Sequence, residues 1–120
     1  MDHKKFYNLK KLDEIARGDQ GFVREMVVTF VENVTNDIDS IQSLKLVENW
    51  TVIGETAHKL ASNFAYLGAD SLQVLAASIE KMIINDKNLE GIADKTEKMC
   101  SEGTLLVNQL KKDFDITGII

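Results

Sequence analysis

Proline is absent from this 120-residue chain, glycine occurs seven times and cysteine once. Because proline punctuates most β-rich and loop-rich folds, its absence favours a helical protein. A single cysteine excludes a disulfide framework and a multi-cysteine zinc site. No apolar run approaches the roughly 18 residues that a membrane span needs. The basic opening MDHKKFYNLKK lacks the continuous apolar stretch of a secretory signal.

The charge balance is acidic, with 19 acidic and 14 basic side chains and a net charge of −5. This argues against a general nucleic-acid binder, which needs an excess of Lys and Arg. The hydrophobic content of 44% is too high for a disordered chain. We therefore expect one soluble cytoplasmic domain over residues 1–120, with its core at about 9–114. Short tails and the initial Met favour a freestanding chain over a piece of a larger sensor protein.

Apolar residues recur at three- and four-residue steps through most of the chain, which predicts an all-α fold. Residues suited to begin or end helices punctuate this pattern. The predicted N-caps are Asp19, Asn49 and Asp70, the predicted stops are Gly18 and Gly68, and the last helix is predicted from Leu89 to Phe114. Four helices joined by short connections favour an up-down antiparallel four-helix bundle, with a short extra N-terminal helix closing one end.

The chain has two histidines, His3 and His58. His3 lies near the terminus, and no role is expected for it. On a helical wheel His58 lies about 130° from the centre of the apolar face of its helix. We therefore expect the imidazole to face solvent.

Small residues surround His58 at helical contact spacing. They are Thr51, Gly54, Ala61, Ser62 and Ala65, and Glu55 is the one large polar neighbour on that side. Such a strip suits the close approach of a partner; alternatively, it is buried against another helix, such as the last one. No second His, no Cys and no suitably spaced carboxylate pair accompanies His58, so the sequence does not predict a metal site there. No nucleophile lies beside His58 in a recognisable motif, so a hydrolase triad is not predicted either.

A neutral imidazole carries a free lone pair and can form a covalent intermediate. Phosphoryl transfer suits such a residue, because that chemistry mainly needs positioning and charge stabilisation. The sequence has no phosphate-cradling glycine loop and no kinase signature. The phosphoryl donor, the metal ion and most of the catalytic apparatus are therefore expected from a partner.

Residues 56–69, TAHKLASNFAYLGA, continue through Leu72, Leu75 and Glu80. This stretch resembles the signature of histidine-containing phosphotransfer (HPt) domains, which carry Ala-His-x-Leu, a Lys-Gly-Ser stretch and then Gly-Ala about ten residues after the histidine. The resemblance extends over roughly residues 9–112, and its specific part is the spacing from His58 to Gly68.

The resemblance implies a four-helix bundle with an exposed active histidine that carries phosphoryl groups in a multistep phosphorelay. His58 would accept the group from an aspartyl phosphate and pass it to the aspartate of another receiver domain. The implied partners are response-regulator receiver domains and a hybrid sensor histidine kinase. Mg²⁺ is expected in the receiver and no cofactor in this chain, which is expected to be a monomer and not an enzyme by itself.

Two positions depart from the family pattern: Ala61 stands where a lysine is usual, and Ser62 where a glycine is usual. Ser62 keeps clearance beside the ring and can donate a hydrogen bond. Lys59 is a candidate substitute for the lysine, or an ordinary solvated side chain. Glu55 either orients the His58 ring or is a surface glutamate.

The residues predicted to contact a partner are Thr51, Gly54, Glu55, Ala61 and Ala65. Tyr66 is expected to edge that surface, and Cys100 is expected to be a buried, inert thiol. Two other hypotheses stay open: a module that docks receivers without accepting phosphate, and a bundle with a purely structural role.

Overall fold

The computed structural model describes residues 5–117, so the expectation for His3 lies outside the described residues. The described chain is helical and holds no strand, which confirms the predicted all-α class. Its elements are α1 (Lys10–Ala16), α2 (Gln20–Leu46), α3 (Trp50–Tyr66), α4 (Asp70–Glu80), a π-helical turn (Lys81–Asn85) and α5 (Ile92–Asp113).

Two of the three predicted N-caps are confirmed. The Asp19 carboxylate accepts a hydrogen bond from the backbone N–H of Phe22 at 3.1 Å. The Asn49 side chain accepts one from the N–H of Val52 at 3.3 Å. Each bond satisfies a backbone donor that the first turn of a helix leaves without a partner. The cap at Asn49 therefore sets where α3, the helix of His58, begins.

Two predicted helix starts are wrong. Ala69, and not Asp70, is the N-cap of α4, and it makes no side-chain capping bond. Asp70 is instead the first helical residue, where its charge complements the helix dipole. The last helix begins at Ile92, and Leu89 is 45% exposed in the loop before it. Gly91 at φ +73° is the reason, because this left-handed backbone conformation precedes the helix.

The four long helices pack in a ring, in which α3 contacts α2 and α4, and α5 contacts α2 and α4. The short α1 packs on α2. Opposite ends of α2 and α5 meet: Lys45 pairs with Glu97 at 3.4 Å, and Arg24 donates to the carbonyl of Phe114 at 3.0 Å. Side chains from all five helices fill the core. The largest fully buried ones include Leu12, Ile41, Phe64, Ile79 and Leu106.

Cys100 lies within this core, as predicted from its place on the apolar stripe of the last helix. Burial, with a smaller contribution from the Glu97 charge, raises the pKa of its thiol to about 11. Because the thiolate is the reactive form, this side chain acts as a small apolar packing residue.

The segment before α1 is tied to the turn between α3 and α4. The backbone N–H of Asn8 donates to the carbonyl of Leu67 at 2.9 Å. Gly68 follows with φ +65°, and a Cβ placed there would overlap the carbonyl oxygen of Asn8. The turn that ends the His58 helix therefore needs glycine for two reasons: its backbone conformation and the close approach of the N-terminal segment.

Gly68→Ala should lower the free energy of unfolding by about 1–3 kcal/mol more than Gly18→Ala, the extra amount being typical of overpacking. Both glycines have positive φ, so both variants carry the left-handed penalty of about 1 kcal/mol. Only at Gly68 does the added methyl group meet backbone, since nothing lies within 4 Å of the corresponding position at Gly18. Urea denaturation of both variants measures the difference. Equal decreases in the free energy of unfolding would show that the close approach of Asn8 to Gly68 adds no extra cost in Gly68→Ala.

Candidate functional site

His58 lies in the middle of α3 with 67% of its side chain exposed, so the solvent-facing orientation predicted from the helical wheel is confirmed. Most buried residues of the same helix form its opposite face. They are Ile53, Thr56, Ala57, Leu60 and Phe64. Gly54 is also buried, but it lies one turn before His58 on the same side of the helix. The amphipathic pattern of α3 therefore holds the imidazole outward on a rigid element.

One ring nitrogen of His58 has a carboxylate beside it. The Nδ1 atom lies 2.9 Å from Oε2 of Glu80, the last residue of α4. The two groups form an ion pair when the imidazole is protonated. In the neutral ring, a carboxylate at this distance favours the tautomer with the proton on Nδ1, because the alternative sets a lone pair against a negative charge. The Nε2 atom has no partner among the described residues.

Glu80, and not Glu55, is thus the glutamate beside the ring. Glu55 is exposed and makes no hydrogen bond or ion pair with any residue between 5 and 117. The two alternatives for Glu55 are resolved in favour of a surface glutamate. Glu80 lies on another helix, so the spacing of residues along α3 could not predict that it contacts His58. The stretch that resembles the family signature includes Glu80, but no role was predicted for it.

A groove of about 510 Å³ runs along the other side of His58, between α3 and α2. Helix α3 lines it with His58, Lys59, Ser62 and Asn63, and α2 lines it with Asn33, Asn36 and Asp37. The α2 residues were missing from the sequence-based site because nothing in the sequence assigns them to this face. Each of these lining residues carries a polar or charged group, and their amide N–H and hydroxyl groups can donate hydrogen bonds to an anionic group beside the imidazole.

Lys59, the predicted phosphate partner, is engaged within the domain. Its Nζ atom lies 3.5 Å from Oδ1 of Asp37, whose side chain is only 15% exposed. Burial raises the pKa of the Asp37 carboxyl, and the nearby Lys59 charge opposes that shift. This carboxylate therefore takes up a proton at a higher pH than an exposed aspartate, and its attraction for Lys59 weakens there.

The small-residue strip is only partly exposed. Thr51 and Ser62 are exposed, and Ala61 and Ala65 are half-buried. The expectation that Gly54 is also open to a partner is wrong, because Gly54 is buried against the π-helical turn. The alternative of a strip sealed by the last helix is wrong as well, since His58 stays exposed.

An apolar rim, formed by Phe30 of α2 and Tyr66 of α3, lies two turns along α3 from His58. The two rings stack with centroids 5.4 Å apart and planes at 22°. Tyr66 is 39% exposed, and the Lys11 ammonium group lies 4.9 Å from its ring centroid. The seam between α2 and α3 thus carries a polar groove at His58 and an accessible aromatic pair further along.

The sequence profile of the Hpt domain family matches residues 25–114, which include all of α3, α4 and α5 and most of α2. The chain therefore belongs to the Hpt domain family, whose members are phosphotransfer modules of two-component signalling. No curated protein and no solved structure matches the chain significantly.

Two further properties of residues 5–117 bear on the class of site. No group of three or more His, Cys, Asp or Glu side chains is placed to hold a metal ion within this range. None of its helices combines the length and apolar character needed to cross a lipid bilayer.

Glu80→Ala should redistribute the proton of the neutral His58 ring between Nδ1 and Nε2, since it removes the carboxylate beside Nδ1. Long-range ¹H–¹⁵N NMR of the imidazole, recorded where the ring is neutral, reports the tautomer directly. Glu55→Ala is the matched control and should leave the spectrum unchanged. A wild-type ring already protonated at Nε2 would contradict the role given to Glu80.

Proposed function

We propose that this protein is a histidine phosphotransfer protein of a multistep phosphorelay, with His58 as the phosphoryl acceptor. The observation that carries the proposal is the exposed imidazole with Glu80 beside Nδ1, which leaves Nε2 without a contact among residues 5–117. Membership of the Hpt domain family supports the reaction class.

In the forward step, the Nε2 lone pair attacks the phosphorus of an aspartyl phosphate on a receiver domain. A P–N bond forms, the P–O bond to the aspartate breaks, and the aspartate carboxylate leaves with the electron pair. The Nδ1 proton stays on the ring, and the Glu80 carboxylate offsets the positive charge of the phosphorylated imidazole. The reverse attack, by the aspartate of a second receiver, releases Nε2 with its lone pair.

The rest of the catalytic apparatus belongs to the partner in this proposal. The receiver supplies Mg²⁺ and its acidic pocket, and this chain supplies the nucleophile and a preorganised surface. Ser62 lies one turn after His58 on the groove side, where its hydroxyl can donate to a phosphoryl oxygen. The chain is thus a carrier and not an enzyme by itself.

The proposed docking face surrounds His58 and includes Thr51, Glu55, Ala61 and Ala65, with the apolar rim of Phe30 and Tyr66 as its anchor. Aromatic side chains are well suited to anchor contacts because they bury a large area with few rotatable bonds. Gly54, which was predicted to contact a partner, is buried and is not part of this face. We propose a modest, transient contact with receiver domains and a hybrid sensor kinase, made in the cytoplasm by a monomeric up-down antiparallel bundle.

A second candidate function is a module that docks receiver domains without accepting phosphate. Two observations favour it: Ala61 occupies the place of the usual lysine, and Lys59 is paired with Asp37. In that case the phosphoryl group would find no free cation from this chain beside His58. The two functions differ in whether His58 is needed for output or only for the shape of the surface.

His58→Gln should reduce phosphate uptake to background, because glutamine keeps a polar side chain but has no nucleophilic nitrogen. The measurement follows labelled phosphate from a phosphorylated receiver domain to the purified protein, and His3→Gln is the control that should retain uptake. Unchanged uptake in His58→Gln would rule out His58 as the acceptor. Intact receiver binding and signalling output in the same variant would establish the docking module instead.

Asp37→Asn should speed phosphate uptake by about two- to fivefold, the range expected for one partly exposed ion pair. The change releases Lys59, which can then approach the phosphoryl oxygens. Lys59→Gln should slow uptake, and Asp39→Asn, a nearby exposed carboxylate on α2, should have no effect. The measurement is the rate at which labelled phosphate is transferred to each variant. If Asp37→Asn still speeds uptake in the Lys59→Gln background, Lys59 does not mediate the effect.

A further inference from the structure

Gly54 is a glycine in the interior of α3, four residues before His58. Glycine destabilises a helix interior relative to alanine, so its presence calls for a local reason. Its backbone conformation is helical and requires no glycine. The reason for glycine at position 54 is therefore the close approach of neighbouring atoms.

The π-helical turn approaches Gly54 more closely than a side chain would allow. A Cβ added at Gly54 would lie 3.0 Å from Cγ2 of Ile83, 3.0 Å from Cδ1 of Ile84 and 3.1 Å from Cγ1 of Ile84. Both γ-carbons are bonded directly to Cβ atoms, so they move only with the backbone or through a change of rotamer. Ile83 is also buried, with 7% of its surface exposed.

The turn lies directly after Glu80, the residue whose carboxylate stands beside His58. A π-helical turn holds more residues than an α-helical one, and here two successive isoleucines contact the same glycine. Along α3, Gly54 precedes His58 by one turn; along the opposing chain, Ile83 and Ile84 follow Glu80 by about one turn. The two contacts are therefore neighbours on one helix–helix seam.

We infer that Gly54 is a positioning residue for the reaction: by admitting Ile83 and Ile84, it sets the spacing between α3 and α4 that brings the Glu80 carboxylate to Nδ1 of His58. A methyl group at position 54 pushes the π-helical turn outward and draws Glu80 away from the ring. The consequence for phosphate transfer rests on the proposed function, whereas the contact between His58 and Glu80 does not.

The test compares Gly54→Ala with the wild type in two measurements. Long-range ¹H–¹⁵N NMR of the neutral ring should show loss of the pure Nδ1–H tautomer. Phosphorylation of His58 by phosphoramidate, a small donor that needs no docking face, should slow by roughly tenfold, the factor expected when a polar contact to a charged group is lost. Adding Ile84→Ala, which removes two of the three close contacts, should restore both.

Gly103→Ala is the matched control, because Gly103 is a buried glycine in the interior of α5 that packs closely on Ile38 of α2. It should leave the His58 spectrum unchanged. The inference is overturned if Gly54→Ala keeps the wild-type tautomer and rate, if Gly103→Ala disturbs the ring equally, or if Ile84→Ala restores nothing. If Gly54→Ala does not fold, the NMR spectrum of His58 is recorded in the double variant that combines Gly54→Ala with Ile84→Ala. A wild-type spectrum supports the inference, and a disturbed spectrum overturns it.

Failure of the proposed function gives a different pattern. If phosphoramidate labels no wild-type protein at His58 while Gly54→Ala still changes the tautomer, Gly54 positions Glu80 in a domain that does not accept phosphate. If the wild type is labelled and Gly54→Ala behaves like it in both measurements, the phosphocarrier stands and the role of Gly54 is refuted.

Discussion

The contact between His58 and Glu80 joins two helices, and the chemistry that we propose for the site depends on it. A surface imidazole is free to rotate and to exchange its proton between two nitrogens. A carboxylate 2.9 Å from Nδ1 restricts both freedoms, because it favours a proton on that nitrogen and leaves the other for reaction. The bundle must therefore hold α3 and α4 at one spacing and register. The close packing of Ile83 and Ile84 on Gly54, one turn away, meets that requirement.

On the groove side of the His58 ring, the important feature is the arrangement of charged side chains. Where Hpt domains usually carry a lysine one turn after the histidine, this chain has an alanine, and its nearest lysine is paired across the groove with Asp37 of α2. In our proposal the receiver and its Mg²⁺ therefore neutralise most of the phosphoryl charge. The Asp37 carboxylate is half-buried, and burial raises its pKa against the opposing charge of Lys59. Helix α2 thus supplies the carboxylate that pairs with Lys59 beside His58, the nucleophile of our proposal.

Local signals in the sequence predicted the helices, the caps at Asp19 and Asn49, the glycine stop at Gly68 and the outward face of His58. These depend on interactions within a few residues, and helical periodicity records them. The helix starts at Asp70 and Leu89 were misplaced by a few residues, and the error at Gly54 arose where a neighbour in space decided the outcome. Gly54 was assigned to the open strip because its spacing from His58 matched the exposed residues, yet the π-helical turn covers it. Leu89 continued the apolar period of α5, but Gly91 precedes the start of that helix.

The sequence by itself determined an all-helical chain with one histidine on the polar face of an amphipathic helix, in a stretch that resembles phosphotransfer domains. Short-range periodicity and spacing are sufficient for that much. Only the tertiary structure decided that Glu80 lies beside the ring, that Asp37 holds Lys59 and that Gly54 is covered. Each of these pairs joins residues more than twenty positions apart. Their contact depends on how far each helix is rotated and shifted against its neighbour, which core packing sets and no local pattern encodes.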